Sequence, residues 1–545
     1  MRALGFITYV TIATLLPVLV VVWNMGATAP FWFLAGDAYL YLGIGEASSG
    51  WSMSYDGLRA TNGFHPLWQV WVRLVTNIAD GPLQVMTLVA YSAIALTWAG
   101  VLLLGAAIRR LTGSWLLAML VVPGVYYLVI GQALRNLPIW GFYDGMEAGL
   151  AFFIAGLLAW LIARLDHTDR SRRLWQIIGL TLAALVLTRL DEVFLILALT
   201  AAVTFWPGRA FVRRITDAAW IACPSALAVA GFIGWSYATT GLLSPVSGAA
   251  KGEGAFLANS WVTLATFFAP LIDVREALTS YEAGRQTLLG GAFRVVELVI
   301  PALFALGFGT LTLRRHRENP WAPALVGFCG GVILKALYHL TAVNYWHQAS
   351  WYFAVAMMVM TLGTAILLAP AARRLSRAGA GAAALALGSV TMLHASLWSA
   401  SLMTNTVRLE QRDFWQTRAA TQSALYARDP DIRVMEFGDG LLNFTFDFPV
   451  RHGFVFAGDG QSLTALRESR LLRDGYDDGF TVLSSFEYLA VPEGAETWTS
   501  DQIRAFLQNS FLDGRIKAEL PDFDFEMLYI HRPTNVPFIR LIPRA

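Results

Sequence analysis

Cysteine and charge are both scarce in this sequence. Its 545 residues include two cysteines, Cys223 and Cys329, and both lie in apolar runs. No disulfide framework can therefore form, and both thiols are expected to be inert core groups. Only 14% of the residues are charged, the net charge is +2, and the positive residues are spread in short clusters. Because no basic patch is present, we expect no nucleic acid partner.

Apolar residues are correspondingly abundant. They make up 56% of the chain, with 20 Trp and a mean hydropathy of +0.52, which is typical of a polytopic membrane protein rather than a soluble enzyme. Most apolar runs approach the roughly 20 residues that a helix needs to cross a bilayer. About eleven spans are predicted, at residues 6–25, 83–108, 114–133, 146–164, 174–188, 192–206, 217–240, 292–313, 321–340, 350–369 and 379–400.

Basic clusters indicate the orientation of these spans. They occur at alternate turns, at residues 109–110, 164–173, 209–214, 314–317 and 373–377. The positive-inside rule assigns that side to the cytoplasm and places the loop at 26–82 and everything after Ala400 on the outer side. No small-residue cleavage site follows the first apolar run, so the first span is expected to be retained. We therefore predict a multi-pass protein of a plasma membrane with a cytoplasmic N-terminus.

The densest polar stretch lies in the first outer loop, between Gly36 and Trp68. Its start, DAYLYLGIGEA, has helical spacing and predicts an amphipathic helix on the membrane surface. The following GLRATNGFHPLW predicts a turn that re-enters a helix at Pro66. Charged side chains beside a bilayer are energetically unfavourable and usually have a function. We therefore expect this loop to direct carboxylates toward the helix bundle.

Two short apolar runs, at 174–188 and 192–206, meet at Arg189, Asp191 and Glu192. Two short helices around a charged tip predict a hairpin whose apex enters a polar cavity. The alternative is one long buried helix with an internal ion pair. The alternation of basic clusters requires two passes and favours the hairpin.

The segment after residue 400 has ordinary polarity and contains no span. Short strands are predicted for VMEFGDG, LLNFTFDF, GFVFAGDG, FTVLSSFEYLAV, FEMLYIHR and PFIRLIPR. TSDQIRAFLQNSF predicts a helix capped by Thr499 or Ser500. The predicted fold class is thus mainly α, with a membrane helix bundle at residues 1–400 and an extracytoplasmic α/β domain at residues 401–545.

The polar residues of the predicted outer side provide the candidate site. A carboxylate can act as general base toward an acceptor hydroxyl, and Arg, Lys and His can hold a phosphate. Aromatic rings pack against sugar faces. Such a set suits transfer of a sugar from a phosphate-linked carrier. The candidates are Asp37, Glu46, Asp56, Asn62, His65, Asp144, Glu147, Arg189, Asp191, Glu192, Lys251, His339, His347, Trp351 and Tyr352.

Each candidate also has a structural interpretation. Asp37 is a suitable helix N-cap, and Arg189 with Asp191 can form a structural ion pair. Others can serve as a turn residue, a favourable charge at a helix start, a contact to lipid headgroups or part of an interfacial aromatic belt. These are His65, Glu147, Lys251, His347 and Trp351. The set is informative because all its members fall on the same predicted side.

Several motifs together resemble the GT-C superfamily of polytopic glycosyltransferases, which use polyprenyl-phosphate-linked sugars. The first loop there begins with an acidic pair and, in a bacterial branch, ends in TNGFHPLW; the corresponding positions here are Gly36-Asp37 and residues 61–68. Three further stretches are similar to later motifs in the same order: residues 145–147, 189–191 and 237–251. The layout also resembles the mycobacterial terminal arabinofuranosyltransferases, which add an extracytoplasmic domain after the bundle.

The resemblance implies an inverting transferase that passes a sugar from a polyprenyl-phosphate donor to a glycan, lipid or protein acceptor of the cell envelope. Asp37 would be the catalytic base, since Gly36 replaces the first acid of the pair. The donor phosphate would be bound by Arg189, Lys251 and His65. Substrate contacts would come from Asn62, Asp144, Glu147, Asp191, His347, Trp351 and Tyr352.

No cofactor is required by this scheme, although a divalent cation such as Mg or Mn is compatible with Asp37 and Glu147 as ligands. Two alternatives stay open. One is a transporter or flippase of lipid-linked glycans, which would use charges within spans, such as Lys335. The other is an inactive glycan-binding relative, which Gly36 in place of an acidic residue would explain.

The predicted topology can be tested with single cysteines. Residues placed on the outer side should react with an impermeant thiol reagent on intact spheroplasts, because the reagent cannot cross the bilayer. We expect labelling of a cysteine at position 60, 250 or 460 and none at position 170, which serves as the cytoplasmic control. Labelling at 170 but not at 460 would invert the whole scheme.

Overall fold

The structure is a computed structural model. It describes residues 3–123, 143–166, 170–207, 210–252, 299–343, 350–404, 406–438, 440–453, 458–486, 489–510 and 512–544. Within these residues the chain is mainly helical and includes one five-stranded sheet.

The helices are, in chain order, α1 (Ala3–Met25), α2 (Pro30–Phe33), α3 (Gly36–Ala47), α4 (Pro66–Ile78), α5 (Pro82–Thr112), α6 (Trp115–Ala118), α7 (Ala148–Ile162), α8 (Arg170–Thr188), α9 (Val193–Thr204), α10 (Phe211–Thr240), α11 (Val246–Gly252), α12 (Ile300–Arg315), α13 (Ala322–Thr341), α14 (Ala354–Arg374), α15 (Arg377–Met403), α16 (Thr406–Gln416), α17 (Arg418–Tyr426), α18 (Leu441–Thr445), α19 (Gly460–Arg467), α20 (Leu471–Asp477), α21 (Ser500–Asn509) and α22 (Gly514–Glu519). The strands are β1 (Val434–Glu436), β2 (Val450–His452), β3 (Val482–Ser484), β4 (Phe523–His531) and β5 (Val536–Pro543).

The chain divides into two compact units. Unit 1 comprises Met1–Gly26, Tyr91–Phe232 and Lys251–Met403, and unit 2 comprises Ala27–Ala90, Ile233–Ala250 and Thr404–Ala545. Unit 2 therefore contains the first loop together with the C-terminal segment. The domain boundary at residue 400 stays a prediction.

Five helical stretches are long and apolar enough to cross a membrane: Ala3–Thr28, Pro82–Thr112, Phe211–Thr240, Ala322–Thr341 and Ala354–Arg374. Each coincides with a predicted span, and by length and composition they make the chain a multi-pass membrane protein. Two other apolar helices, Ala148–Ile162 and Arg377–Leu393, are shorter. The run predicted at 114–133 extends beyond the described residues, so the number of eleven spans stays a prediction, as does the orientation.

Small residues allow close helix packing in unit 1. Helix α13 packs against α9 along Gly327 and Gly331, which are four residues apart and so lie on one face. A Cβ added at Gly327 would lie 2.6 Å from the Cα of Leu199, and one at Gly331 would lie 2.7 Å from the Cα of Leu195. These backbones can approach only where no side chain intervenes, as is common between membrane helices.

The sheet of unit 2 has the strand order β2-β1-β3-β5-β4. Strand β1 is parallel to β2 and β3, whereas β5 is antiparallel to β3 and β4. Helix α21 begins with the predicted cap, since Thr499 and Gln502 form a capping box. It buries Ile503 and Leu507 in the core beside the sheet.

Most of the predicted strands of the C-terminal segment are confirmed, as β1, β3, β4 and β5. The prediction for LLNFTFDF is wrong, because Leu441–Thr445 forms helix α18. The stretch GFVFAGDG lies partly outside the described residues, and the strand preceding it is β2. The alternating apolar pattern of LLNFTFDF is typical of a strand, but tertiary contacts override this local preference.

Helix α3 covers the predicted helical stretch of the first loop but is more enclosed than a surface helix. Ala38, Tyr39, Leu42 and Ile44 are all buried, because α3 packs against both α4 and α18. Helix α4 is the more amphipathic of the two helices in this loop. It buries one face and exposes Val70, Leu74 and Ile78.

The close α9–α13 packing predicts that Gly331→Ala destabilises the protein. The added methyl group must displace the backbone of α9, and overpacking of this kind typically costs about 1–3 kcal/mol. Thermal unfolding of the detergent-solubilised protein would measure the change. Gly307→Ala in α12 is the matched control, since nothing lies within 4 Å of a Cβ added there, and it should be neutral or stabilising. Equal melting temperatures for the two variants would contradict the packing described.

Candidate active site

The chain turns sharply between α8 and α9. Helix α8 ends at Thr188, Arg189 is extended (φ −147°, ψ 109°), and a 3-10 turn at Leu190–Glu192 leads into α9. The amide of Glu192 donates to the carbonyl oxygen of Arg189 at 3.0 Å. The predicted break between two helices is therefore confirmed, and it gathers three charged side chains within four residues.

These side chains form a buried ion cluster, which we define as Glu147, Arg189, Asp191, Glu192 and Lys335. Arg189 contacts the carboxylates of Glu147 at 2.5 Å and of Asp191 at 3.2 Å. Lys335, from α13, contacts Asp191 at 3.0 Å and Glu192 at 2.6 Å. The side chains of Arg189, Glu147 and Glu192 are each at most 3% exposed. Alternating charges thus join four segments: the turn before α7, the end of α8, the 3-10 turn and α13.

The ion cluster is held by mutual neutralisation. A buried charge left without a partner is strongly destabilising, whereas alternating positive and negative groups offset the loss of hydration. The cluster contains two cations and three carboxylates, and His339 lies 3.3 Å from Asp191 as a further partner. The structural ion pair considered for Arg189 and Asp191 is therefore present.

Tyr352 provides an aromatic face at the same place. The guanidinium of Arg189 lies 4.2 Å from the centre of the Tyr352 ring, a favourable cation–π distance. Arg189 is consequently enclosed by two carboxylates and a ring. A phosphate approaching it would have to displace one of the carboxylates.

The helix that follows Glu147 is preceded by a tight turn. Asp144 is fully buried and accepts a hydrogen bond from the amide of Met146 at 2.9 Å. Gly145 has φ +75°, a conformation that favours glycine. Asp144 and Glu147 therefore lie in one turn before α7, where Glu147 reaches Arg189.

In unit 2 the carboxylate of Asp37 is exposed in the first turn of α3. Asp56 has a different environment, since its Oδ1 accepts from the amides of Leu58 and Arg59 at 2.9 Å each. Its Oδ2 lies 3.3 Å from Arg451. Asp56 is thus the turn residue that its position before glycine indicates.

Asn62 is a structural residue of the TNGFHPLW stretch. It is fully buried, and its Nδ2 donates to Ser236 Oγ at 2.6 Å and to the carbonyl of Ser244 at 3.0 Å. Its Oδ1 accepts from the amide of Val246 at 2.8 Å. These three hydrogen bonds thus join the loop to the last part of α10 and to the start of α11. His65 precedes α4, which begins at Pro66 as predicted.

Three of the predicted site residues cannot be placed. His347 lies outside the described residues, and the same holds for the side chains of Lys251 and Trp351. The structure brings Glu147, Arg189, Asp191 and Tyr352 together in unit 1. It places Asp37, Asn62 and His65 in unit 2. Their roles toward a substrate stay predictions.

The Arg189 guanidinium lies 2.5 Å from one carboxylate oxygen of Glu147, and its positive charge opposes a divalent cation at that oxygen. A cation bound by Asp37 and Glu147 stays a prediction. Among the residues that the structure describes, no group of three or more His, Cys, Asp or Glu side chains could hold a metal ion.

Sequence reasoning missed Lys335 as a member of the ion cluster. A lysine within an apolar run was interpreted as a feature of a transporter, but its partners, Asp191 and Glu192, lie more than a hundred residues away along the chain. The available signal was the excess of acids over cations at the α8–α9 tip.

Several solved structures resemble the chain, whereas no protein-family profile and no curated protein matches it. The oligosaccharyltransferase of Archaeoglobus fulgidus in its apo form is 13% identical, with a TM-score of 0.49, covering 92% of this chain and 71% of that one. ArnT from Cupriavidus metallidurans in the apo state is 12% identical, with a TM-score of 0.48, covering 96% and 97%. The archaeal oligosaccharyltransferase AglB in complex with an inhibitory peptide and a dolichol-phosphate is 12% identical, with a TM-score of 0.46, covering 99% and 76%.

Because every TM-score is below 0.5 and the identities are 12–13%, the likeness assigns no substrate and no catalytic residue to this chain.

The ion cluster predicts that Lys335→Met is strongly destabilising. The change would leave Glu192 buried without its closest cation, and breaking a buried pair in this way typically costs about 3–5 kcal/mol. Arg470→Met is the control, because Arg470 is half exposed and pairs with Glu468 at the surface, where such pairs contribute about 1 kcal/mol or less. Melting temperatures in detergent would compare the two, and a smaller loss for Lys335→Met than for Arg470→Met would refute the role of the cluster.

Proposed function

We propose that this protein is an inverting membrane glycosyltransferase that transfers a sugar from a polyprenyl-phosphate donor to an acceptor hydroxyl, with Asp37 as general base. The observation that supports this assignment is the exposure of the Asp37 carboxylate at the start of α3. A base has to be reached by an acceptor that arrives from outside the protein. Five other candidate acids are at most 14% exposed, namely Asp56, Asp144, Glu147, Asp191 and Glu192.

The position of Asp37 within α3 also favours its ionised form. The first turn of a helix carries amide groups that stabilise a negative charge, and a base has to be ionised to accept a proton. Glu46 is likewise exposed but lies in the last turn of the same helix, where the helix dipole opposes a negative charge. The two acids of α3 are therefore not equivalent.

In the proposed step Asp37 takes the proton of the acceptor hydroxyl while the hydroxyl oxygen attacks the anomeric carbon of the donor sugar. The new carbon–oxygen bond forms on the face opposite to the phosphate. The bond between the anomeric carbon and the phosphate oxygen breaks, and the polyprenyl phosphate leaves with the electron pair. Because phosphate is a good leaving group, the step requires no strong general acid and no metal ion.

The donor phosphate is assigned to Lys251, Arg189 and His65. For Arg189 this role requires an exchange of partners, since Glu147 and Asp191 already neutralise it. A guanidinium can bind a phosphate with two parallel charge-assisted hydrogen bonds, as it binds a carboxylate. Lys251 and His65 are assigned to the same phosphate.

The acceptor is assigned to the cell envelope, as a glycan, lipid or protein on the extracytoplasmic face of a bacterial plasma membrane. The C-terminal segment would bind or orient it. A transporter is less well supported, because Lys335, the charge in an apolar run that favoured it, is neutralised by Asp191 and Glu192. A pathway for a polar substrate would need such a charge to face the substrate.

The proposal predicts that Asp37→Asn abolishes most of the transfer while the protein still folds. Asparagine keeps the shape and the capping ability of Asp37 but cannot accept the proton, and general bases typically contribute about 100- to 10,000-fold in rate. Mass spectrometry of envelope glycans from a strain that lacks the protein would identify the missing sugar. The rate at which each variant restores that sugar, corrected for folded protein, is the measurement.

The matched control is Glu46→Gln, which neutralises the other exposed acid of the same helix and should restore the sugar at the normal rate. Near-normal transfer by folded Asp37→Asn would rule out this base. If the strain that lacks the protein is missing no sugar, the assignment as a glycosyltransferase would be ruled out.

A further inference from the structure

The sheet contributes a buried carboxylate that contacts helix α18, and α18 packs against α3. Glu436, the last residue of β1, is fully buried. Its Oε1 accepts from the amide of Leu442 at 2.9 Å, and its Oε2 accepts from the amide of Asn443 at 3.4 Å. These amides belong to the first turn of α18, so the carboxylate caps this helix from a neighbouring strand.

The same carboxylate also holds the first loop. The hydroxyl of Tyr55 donates to Oε2 of Glu436 at 3.0 Å, and the side chain of Asn443 donates to the carbonyl oxygen of Tyr55 at 2.7 Å. Tyr55 is thus fixed at both its side chain and its backbone. The loop that follows α3 and the helix α18 share one acceptor.

Helix α18 packs directly on the part of α3 that follows Asp37. Gly440 has φ +88°, and a Cβ added there would lie 2.8 Å from the backbone nitrogen of Leu40. One helical turn further on, a Cβ added to Gly43 would lie 2.6 Å from Nδ2 of Asn443. The backbone of Gly440 is therefore as close to α3 as glycine allows, and Asn443 packs its side chain on Gly43, so a shift of α18 toward α3 has to move α3.

We propose that Glu436 is a positioning residue for Asp37. It fixes α18 and Tyr55, and these fix the axis of α3, whose first turn carries the base. The inference deepens the proposed function and rests on it. A group that sets the direction of a base contributes to turnover because misplacement of a reacting group by about 1 Å can lower a rate by roughly 100-fold.

The test is Glu436→Gln in the full-length protein. Glutamine keeps the shape, but its amide nitrogen cannot accept a hydrogen bond, so at least one of the three donors loses its acceptor. We expect amide hydrogen exchange in the segment 38–47 to become about tenfold faster and the rate of sugar incorporation per folded protein to fall about 10- to 100-fold. Added to Asp37→Asn, the change should lower the rate no further, since both act on one step.

Glu519→Gln is the matched control. Glu519 is also a buried acid of unit 2 and accepts from the amide of Arg473 in the first turn of α20 at 3.0 Å, but α20 does not belong to the surroundings of α3. Burial raises the pKa of Glu519 to about 7, so exchange is compared at pH 8, where this carboxylate is mostly ionised. The control should speed exchange in α20 and leave α3 and the transfer rate unchanged.

Unchanged exchange in α3 after Glu436→Gln would overturn the proposal, and so would equal losses of transfer in the Glu436 and Glu519 variants. Should Glu436→Gln not fold, Tyr55→Phe removes a single donor to the same carboxylate and is judged by the same two readouts. Near-normal transfer by Asp37→Asn would instead refute the assignment of Asp37 as base. The two failures can be told apart, because hydrogen exchange in α3 is measured without turnover.

Discussion

A carboxylate that folding withdraws from water has to be met by cations or by hydrogen-bond donors, and this requirement organises both units of the protein. In unit 1 it draws Arg189 and Lys335 to three acids. In unit 2 it draws amides and a hydroxyl to Glu436. Each acid joins segments that are far apart along the chain, so the helices around them cannot shift independently.

The candidate acids differ in how far folding withdraws them from water. Glu147 is buried against Arg189 and so contributes to the fold of unit 1. Asp37 is an exposed residue in the first turn of α3. This difference in exposure is the reason for assigning proton transfer to Asp37 in the proposal.

Local chemistry was predictable where few residues decide the outcome. The start of α4 at Pro66, the capping box of α21 and the five apolar helices that could cross a membrane follow from short sequence patterns. The break at Arg189 was also anticipated, because charged residues interrupt two apolar runs there. Leu441–Thr445 was predicted as a strand and is a helix, since the acid that caps it, Glu436, lies on another element and enters no local pattern.

By itself the sequence determined the membrane class of the protein and the boundaries of many elements, because hydrophobicity and capping act over short distances. Only the tertiary structure decided the partners of Lys335, Asn62 and Glu436. Their contacts span from six to more than a hundred residues and depend on which surfaces meet. Pairing of a buried polar group is set by whatever the fold brings beside it, and a single sequence does not contain that geometry.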